Sequence, residues 1–327
     1  MIYPEFLKKG DLIGICAPSA GVGKKLEDYE NSLDTLRTKG YSIKETAHVR
    51  VNSERGGTAK ERADELKELY MDPAVKFVMC AAGGDFLSEM LEYTDFEAMK
   101  EHPKFLTGMS DPTGLLFPYT AMCDVATIYG INGGGYDIDP MPEYMKNNLE
   151  IIAGNLIEQE SFAMYMKTPG FLAEKIEFDT PVEWKSFDEE VDVTGRCIGG
   201  CIDVLKDLVG TRFDAAKAFG EKYKEDGLVW YFDNFSLGAE MFYRTLLQFK
   251  YAGWFDYAKA VLVGRVLFES SDTGMTYEDA LRMALPEIPV VFQADVGHTI
   301  PHMTLVNGAI MRLQYREGKG KVNFYLQ

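Results

Sequence analysis

Ser110 stands where the chain could present a nucleophile. It lies in the stretch GMSDPTG, between an apolar strand-like run and an apolar helical run, and Gly108 comes two residues before it. A glycine there lets the backbone form the sharp strand-to-helix turn that exposes a nucleophilic serine, and the N–H of Asp111 would then face an oxyanion. The same pattern also fits Ser110 or Asp111 as an ordinary helix N-cap. Taken alone, these residues leave both interpretations open.

A nucleophilic serine also needs a base, usually a histidine, and a group that orients it. The available histidines are His48, His102, His298 and His302. His298 stands in a Gly-His turn directly after the buried run IPVVFQADVG, which is a typical place for a catalytic side chain. A histidine that only forms hydrogen bonds within its loop is the alternative interpretation.

Two other candidate sites lack the residue spacing that their chemistry needs, which argues against both. In APSAGVGKK, a phosphate-binding loop would need glycine at the position of Pro18 and serine or threonine at the position of Lys25. Cys197 and Cys201 form C-I-G-G-C, which lacks the spacing and the histidine partners of a zinc site. We therefore expect neither a cofactor nor a metal.

Strands that alternate with helices must position these side chains. DLIGICAPS and VKFVMCAAGGD are typical of strands, and Thr58 and Glu61 form a capping box at the start of the helical pattern TAKERADELKELYMD. The alternation predicts a parallel sheet covered by helices on both faces, with its sites beyond the carboxyl ends of the strands. Three loops are expected there, over 17–23, 81–86 and 108–114.

The pattern changes between residues 168 and 193, where TPGFLAEKIEFDTPVEWKSFDEE has no helical period and is rich in Pro, Glu and Asp. We expect an N-terminal α/β domain over 1–168, a crossover over 169–192, and a smaller C-terminal domain over 193–327. The second domain is also α/β but richer in β structure. The predicted fold class is therefore α/β in two domains.

The formal net charge of −17 excludes two classes of partner. Nucleic acid and anionic membrane surfaces both attract a basic protein surface. No apolar run reaches the roughly 18 residues of a membrane span, and the start MIYPEFLKKGDLIG lacks the pattern of a signal peptide. We therefore expect an acidic, cytoplasmic enzyme or binding protein.

Six segments together carry a resemblance to a known family: GDLIGICAPSAG, DPAVKFVMCAAGGD, PKFLTGMSDPTGLL, RCIGGCIDVLKDLVGT, VWYFDNFSLGAEMFYRTLLQFKYAGWF and VGH. In this order they closely resemble the LD-carboxypeptidase family of serine peptidases, which includes the microcin C immunity proteins. The resemblance covers essentially the whole chain. It implies an N-terminal α/β domain with a nucleophile elbow and a smaller C-terminal domain that supplies an acid and a histidine. It also implies a site between the domains, a Ser-His-Glu triad without a metal, and commonly a homodimer.

The family's G-[YF]-S-D-[IV]-T motif matches GMSDPT, so the resemblance implies that Ser110 is the nucleophile. Its Gly-Gly after the preceding strand matches Gly83 and Gly84. The backbone N–H groups of Gly84 and Asp111 are then expected to bind the oxyanion, and Gly83 and Asp85 to contact the substrate. Asp111 is also expected to keep the role of helix cap.

The family's Gly-His near the C-terminal end implies that His298 is the base. The triad acid is where this sequence departs from the family, because counting back from Arg244 puts Asp233 at the position of the family's glutamate. An aspartate orients the histidine in other triads, although its side chain is one methylene shorter. Glu240 and Asp295 are the weaker candidates.

Two smaller departures accompany this one. Pro112 replaces an aliphatic residue after the serine, and Cys201 replaces the asparagine of a Gly-Gly-Asn-Leu motif.

The function implied by the resemblance is hydrolysis of the L,D-peptide bond to the terminal D-Ala of murein tetrapeptides, in cell-wall recycling. An alternative hydrolase function is cleavage of the amide that joins a peptide to a nucleotide-like toxin, for which Trp184 or Trp254 could stack on the base. A third alternative is a muropeptide-binding protein whose triad has decayed through Asp233. The expected partner is a small peptide, with no nucleic acid and no membrane, and we expect a homodimer.

Overall fold

Two compact units make up the described part of the chain. The computed structural model describes residues 1–170 and 175–327. The N-terminal unit comprises Met1–Asn155 and Thr304–Gly308, and the C-terminal unit comprises Leu156–Met303 and Ala309–Gln327. The two units are nearly equal in length, and neither is one continuous stretch of chain. The crossover predicted over 169–192 includes residues 171–174, which lie outside the described residues.

Helices and strands alternate along most of the chain. The strands are β1 (Leu12–Cys16), β2 (Ser42–Glu45), β3 (Val75–Cys80), β4 (Phe105–Gly108), β5 (Thr127–Tyr129), β6 (Gln159–Glu160), β7 (Met164–Tyr165), β8 (Thr180–Pro181), β9 (Lys185–Ser186), β10 (Glu190–Cys201), β11 (Leu228–Asp233), β12 (Ala258–Gly264), β13 (Val290–Ala294), β14 (Leu305–Asn307), β15 (Ile310–Arg316) and β16 (Lys319–Tyr325). The α-helices are α1 (Leu26–Thr38), α2 (Ala59–Met71), α3 (Phe96–Glu101), α4 (Thr113–Cys123), α5 (Glu143–Ile152), α6 (Ile202–Leu208), α7 (Ala216–Lys222), α8 (Ala239–Tyr251) and α9 (Tyr277–Ala284). Short 3₁₀ helices occupy Gly23–Lys25 and Leu87–Met90. The predicted α/β fold class is confirmed.

The described strands of the N-terminal unit form a six-stranded sheet in the order β14-β5-β4-β3-β1-β2. Strands β1 to β5 run parallel, and β14 pairs antiparallel with β5 at one edge. From β1 the chain proceeds toward one edge and from β3 toward the other, so the loops after these two strands diverge. Ligands of open α/β sheets bind in the crevice at such a switch point. The loops after β1, β3 and the neighbouring β4 are therefore where a site is expected.

Local sequence explains two helices that frame these loops. At the start of α2, Thr58 Oγ1 accepts the N–H of Glu61 at 3.3 Å, and the Glu61 carboxylate accepts the N–H of Thr58 at 2.8 Å. This is the predicted capping box. Helix α4, with the uncharged sequence TGLLFPYTAMC, is buried along nearly its whole length. A helix without a polar face belongs to the core, so the turn that precedes α4 rests on a firmly packed element.

Eight described strands of the C-terminal unit form a sheet in the order β6-β16-β15-β10-β11-β12-β13-β9, and β7 and β8 form a separate antiparallel pair. Strands β10 to β13 run parallel, whereas β15 pairs antiparallel with β10 and forms a hairpin with β16. Every residue of β11 is buried, and this strand ends at Asp233. The predicted triad acid therefore lies at the carboxyl edge of a central parallel strand.

Aromatic side chains fill the core of the C-terminal unit. The ring of Trp230 on β11 stacks on Trp254 with centroids 5.3 Å apart, and Phe249 of α8 stacks on Trp254 at 4.2 Å.

Across the residues that the structure describes, no helix has both the length and the apolar character needed to cross a bilayer.

Candidate active site

Ser110 occupies a sharp turn between β4 and α4. Its φ is 73°, in the left-handed region that residues with a side chain rarely adopt. A Cβ on Gly108 would lie only 2.7 Å from Cβ of Pro112, so a larger residue would prevent the strand from turning this tightly. A strained residue at a strand-to-helix turn is typical of a nucleophile elbow. The backbone is therefore that of an elbow, while the catalytic role of Ser110 stays a prediction.

Two side chains near the end of β5 hold this turn. The N–H of Ser110 donates to the Tyr129 hydroxyl at 3.1 Å. The Asn132 side chain accepts the N–H of Met109 at 3.0 Å and donates to the Met109 carbonyl at 3.3 Å. These bonds satisfy backbone groups that lie outside the helix and the strand. Sequence reasoning missed both residues, because nothing in their own segment marks them as partners of the turn.

The loop after β3 runs directly beside Ser110. A Cβ on Gly83 would lie 3.1 Å from Cβ and 3.3 Å from Oγ of Ser110. Gly84 has a φ of 150°, and a Cβ there would overlap the hydroxyl of Ser19 in the loop after β1. The two glycines therefore allow three loops to approach one another closely. The backbone of Gly83 therefore lies beside Ser110, and the role of the Gly84 N–H as an oxyanion donor stays a prediction.

Asp111 does not cap α4, which corrects the expectation from the sequence. The helix begins two residues later, and its N-cap position carries no side-chain hydrogen bond. The buried Asp111 carboxylate instead accepts two bonds through Oδ2, from the Ser19 hydroxyl and from the N–H of Leu87 at 2.9 Å. Burial raises the pKa of this carboxyl, and the two hydrogen bonds oppose the shift. Because the turn separates Asp111 from the first helical residues, its side chain faces the neighbouring loops.

Arg62 braces the same loops from the other side. Its guanidinium is 1% exposed and donates to the carbonyls of Pro18 and Phe86, each at 2.9 Å. It also donates to Glu89 at 2.8 Å. The loops after β1 and β3 therefore share one buried cation. Asp85, at the exposed part of the second loop, keeps its predicted substrate contact as a prediction.

Asp233 and His298 lie together in the C-terminal unit. Nδ1 of His298 lies 2.8 Å from Oδ2 of the fully buried Asp233, and the backbone N–H of His298 donates to Oδ1 at 3.3 Å. Nδ1 and Oδ2 are not aligned as a straight hydrogen bond, so this contact becomes an ion pair when the imidazole is protonated. An aspartate at this position therefore reaches the imidazole despite its shorter side chain.

Gly297 brings the histidine this close. Its φ is 91°, and a Cβ on it would overlap the carboxylate of Asp233. The chain passes directly over the carboxylate, so that the backbone and the imidazole of the next residue both reach its oxygens. The Gly-His pair is thus a steric requirement of the contact between Asp233 and His298.

The surroundings of His298 favour its protonated form. Burial of the imidazole opposes protonation, but the charge and contact of Asp233 and the charge of Asp203 outweigh it, so the pKa of His298 is raised. The Phe235 ring packs against the imidazole with centroids 4.6 Å apart. Asp203 accepts the N–H of Phe235 at 3.0 Å and thereby fixes the ring that covers the imidazole. Sequence reasoning missed Asp203, because Phe235 and Ser236, whose N–H groups it accepts, lie 32 and 33 positions away.

A buried ion pair holds the chain on both sides of His298. Arg265 Nη1 lies 2.7 Å from Asp295 Oδ1, and both side chains are buried. The same guanidinium donates to the Thr299 hydroxyl at 3.1 Å and to the Pro301 carbonyl at 3.2 Å. Asp295 is therefore the partner of Arg265 and of the surrounding loop, which leaves Asp233 as the carboxylate in contact with His298.

Three other side chains have structural roles. Glu240 accepts hydrogen bonds from Thr273 and from neighbouring groups of an exposed loop, which lower its pKa to about 2. Trp184 is fully buried and donates to Asp295 at 2.8 Å. Trp254 is buried in the aromatic core. Neither tryptophan is accessible for stacking on a nucleobase, so that expectation is wrong.

Cys201 and His302 lie in the same unit as Asp233 and His298. Cys201 is the register neighbour of Asp233 on β10, its Sγ lies 3.7 Å from Asp203, and burial raises the pKa of its thiol. Burial lowers the pKa of His302 to about 4, so its imidazole is neutral at pH 7.

Within residues 1–170 and 175–327, no group of three or more His, Cys, Asp or Glu side chains is arranged to hold a metal ion.

Comparison with known proteins identifies the family. Residues 13–130 match the LD-carboxypeptidase N-terminal domain, and residues 194–313 match the LD-carboxypeptidase C-terminal domain. The microcin C7 self-immunity protein MccF of Escherichia coli is 25% identical over 332 residues, which cover 94% of this chain and 92% of that protein.

Two solved structures share the fold. The crystal structure of an MccF-like protein of Bacillus anthracis superimposes with a TM-score of 0.86 and 23% identity over 100% of both chains. That of a muramoyltetrapeptide carboxypeptidase from Oxalobacter formigenes has a TM-score of 0.77 and 20% identity, over 97% of this chain and 100% of the other. The chain therefore belongs to the LD-carboxypeptidase family, and it is a hydrolase of the serine-carboxypeptidase type.

Proposed function

We propose that the chain hydrolyses the L,D-peptide bond that joins the terminal D-Ala to murein tetrapeptides. The observation that carries this proposal is the left-handed turn at Ser110, with the Gly83 backbone close to its Oγ. Such a turn costs folding free energy and is retained where an exposed nucleophile needs it. The contact between Asp233 and His298 supports the same chemistry, because it supplies an oriented base.

In the proposed mechanism, Ser110 Oγ attacks the carbonyl carbon of the scissile bond. His298 accepts the hydroxyl proton, and the N–H groups of Gly84 and Asp111 stabilise the oxyanion. His298 then donates the proton to the amine of the departing D-Ala, and water hydrolyses the acyl-enzyme by the same route. Asp233 stabilises the imidazolium that forms in each step. Each oxyanion donor is expected to contribute about 3 to 4 kcal/mol to the barrier reduction.

The second candidate is hydrolysis of an amide between a peptide and a nucleotide-like group. The similarity to the microcin C7 self-immunity protein favours it. The burial of Trp184 and Trp254 disfavours it, because neither indole can stack on a base. The murein tetrapeptide is therefore the preferred substrate, and the peptidyl-nucleotide is the comparison in the assay.

The test uses the purified full chain with two substrates. The first is a tetrapeptide that ends in meso-diaminopimelate-D-Ala, with an otherwise identical peptide ending in L-Ala as stereochemical control. The second is a peptidyl-nucleotide amide. We expect release of D-Ala from the first peptide, little cleavage of its L-Ala counterpart, and slower cleavage of the nucleotide conjugate. If the nucleotide conjugate were cleaved faster than the tetrapeptide, the proposed function would be wrong and the second candidate function would be favoured.

A serine-directed fluorophosphonate probe separates an active enzyme from a binding protein with a decayed triad. We expect the probe to label wild-type protein at Ser110, and the label to be lost in Ser110→Ala and strongly reduced in His298→Ala. His102→Gln is the matched control, because His102 is exposed at the end of α3. Absence of labelling together with unchanged tetrapeptide would contradict the proposed function.

A further inference from the structure

The carboxylate of Asp111 connects the three loops that surround the candidate nucleophile. Its Oδ2 accepts the hydroxyl of Ser19 from the loop after β1 and the N–H of Leu87 from the end of the loop after β3. Asp111 is 6% exposed and Ser19 is fully buried. Losing either hydrogen bond would leave this buried carboxylate without one of its two donors, at a cost in free energy. The two bonds together therefore fix the positions of Ser19 and Leu87 relative to Asp111.

The Ser19 segment passes this constraint to the Gly-Gly loop. The N–H of Ala20 donates to the Gly83 carbonyl at 3.1 Å. Ser19 Oγ itself fills the space that a Cβ on Gly84 would need. The Gly83–Gly84 backbone is therefore held by a hydrogen bond to Ala20 and by direct packing on Ser19.

The distance to the nucleophile makes this constraint important. A Cβ on Gly83 would lie 3.3 Å from Ser110 Oγ, so a small displacement of the loop changes the environment of the attacking atom. Positioning errors of about 1 Å can cost on the order of 10²-fold in rate. Resting on the function proposed above, we propose that the side chains of Asp111 and Ser19 are positioning residues that hold the Gly83–Gly84 oxyanion loop against Ser110. Asp111 thus has two separate roles, one through its backbone N–H and one through its carboxylate.

The variants are chosen to separate these roles. Ser19→Ala removes one donor, and Asp111→Ala removes the acceptor. Asp111→Asn keeps one oxygen that can accept both bonds, so it serves as the conservative rescue. Thr107→Val is the control, because it removes a buried hydroxyl on β4 that has no hydrogen-bond partner among the described residues.

The first measurement is the second-order rate constant of fluorophosphonate labelling, with kcat and KM for the tetrapeptide. We expect Ser19→Ala and Asp111→Ala each to slow labelling and kcat by about 10- to 100-fold with little change in KM. Asp111→Asn should stay within about threefold of wild type, and Thr107→Val should match it. The double variant Ser19→Ala/Asp111→Ala should be no slower than Asp111→Ala alone, because both changes break one shared contact.

The second measurement does not depend on catalysis. Amide hydrogen exchange of the peptides that cover 81–90 should accelerate in Ser19→Ala and stay unchanged in Thr107→Val, with unaltered exchange in the core strands. If wild-type protein reacts with neither probe nor peptide, the proposed function fails, and the exchange result still decides the positioning role. If Ser19→Ala matches wild type in labelling and in exchange, the positioning proposal is wrong whatever the substrate. Should Asp111→Ala fail to fold, Ser19→Ala and Asp111→Asn carry the comparison.

Discussion

The carboxylate of Asp233 contacts His298 twice, once at Nδ1 at 2.8 Å and once at the backbone N–H at 3.3 Å. The family pattern that this chain resembles has a glutamate where Asp233 stands, and the aspartate reaches the imidazole because Gly297 lets the chain pass directly over it. Asp233 and Gly297 are therefore a coupled pair, because any side chain at Gly297 would overlap the carboxylate.

Asp233→Asn should reduce kcat by about 10³- to 10⁴-fold, because an amide neither stabilises the imidazolium nor fixes the tautomer of His298. The charge of Asp233 raises the pKa of His298 against the opposing effect of burial. As the proposed base, His298 must be neutral to accept a proton. We therefore expect the acidic fall of the kcat/KM profile at a pH above the ordinary pKa of histidine. In the variant this limb should move to lower pH. A pH–rate profile checks both effects, and an unshifted limb with near-normal rate would exclude Asp233 as the acid.

The same pKa shift predicts how stability depends on pH. A folded-state pKa above the unfolded value means that protonated His298 stabilises the fold below the unfolded pKa, and that this contribution is lost as pH rises through the folded pKa. We expect Asp233→Asn to reduce the difference in unfolding free energy between pH 6 and pH 9, measured by urea denaturation. An identical pH dependence in both proteins would contradict the ion pair.

Asp203→Asn should shift the acidic limb in the same direction by a smaller amount. Asp203 is the further carboxylate that raises the pKa of His298, and it also fixes Phe235 over the imidazole. An asparagine keeps an oxygen for the Phe235 N–H but loses the charge and the oxygen that accepts from Ser236, so we expect the limb to move and the plateau rate to fall only modestly. Asp207→Asn, at an exposed position of the same helix, is the control and should leave the profile unaltered. A large loss of the plateau rate without a shift would show that Asp203 acts only through packing.

Gly297→Ala should be more destabilising than a change of backbone conformation alone explains. Gly274→Ala is a matched control, because Gly274 has a φ of 83° but nothing within 4 Å of an added Cβ. We expect the control to cost about 1 kcal/mol of unfolding free energy. Gly297→Ala, whose Cβ would overlap the Asp233 carboxylate, should cost about 3 kcal/mol or more and abolish hydrolysis. If guanidinium titrations gave equal losses of unfolding free energy for the two variants, the loop at Gly297 would have moved away from Asp233 without an energetic cost.

Ser110→Gly and Ser110→Ala should both be inactive but should differ in stability. At a φ of 73°, alanine retains the backbone strain whereas glycine relieves it. We expect the glycine variant to be about 1 kcal/mol more stable than the alanine variant, and at least as stable as wild type, in thermal and chemical unfolding. If alanine were the more stable of the two, the turn would not be strained in solution.

The sequence predicted features that depend on neighbouring residues. The capping box of Thr58 and Glu61, the buried strands that end in Gly-Gly and Gly-His, and the tight turn at Gly108 all follow from residues within a few positions of one another. The α/β class follows from the same local periodicities. The expected roles of Ser110 and His298 needed the family's order of motifs in addition.

The structure added features that depend on distant residues. Asp111 was expected to cap its own helix, yet its carboxylate bonds to Ser19, which lies 92 positions away. Trp184 was expected to be available for a ligand, yet its indole is bound to Asp295 across 111 positions. The tertiary fold decides which distant groups a buried polar side chain contacts, so no local sequence pattern could have predicted the partners of Asp111 and Trp184.

Strand β14 sets the order in which the protein can be completed during synthesis. It forms the edge of the N-terminal sheet beside β5, although it lies only twenty residues from the end of the chain. The sheet that carries Ser110 therefore stays one strand short until residue 307 has left the ribosome, by which time His298 has also been made. An N-terminal fragment released early would expose the polar backbone edge of β5, which is a template for unwanted pairing. The sheet that carries Ser110 is thus completed only after His298 has been synthesised.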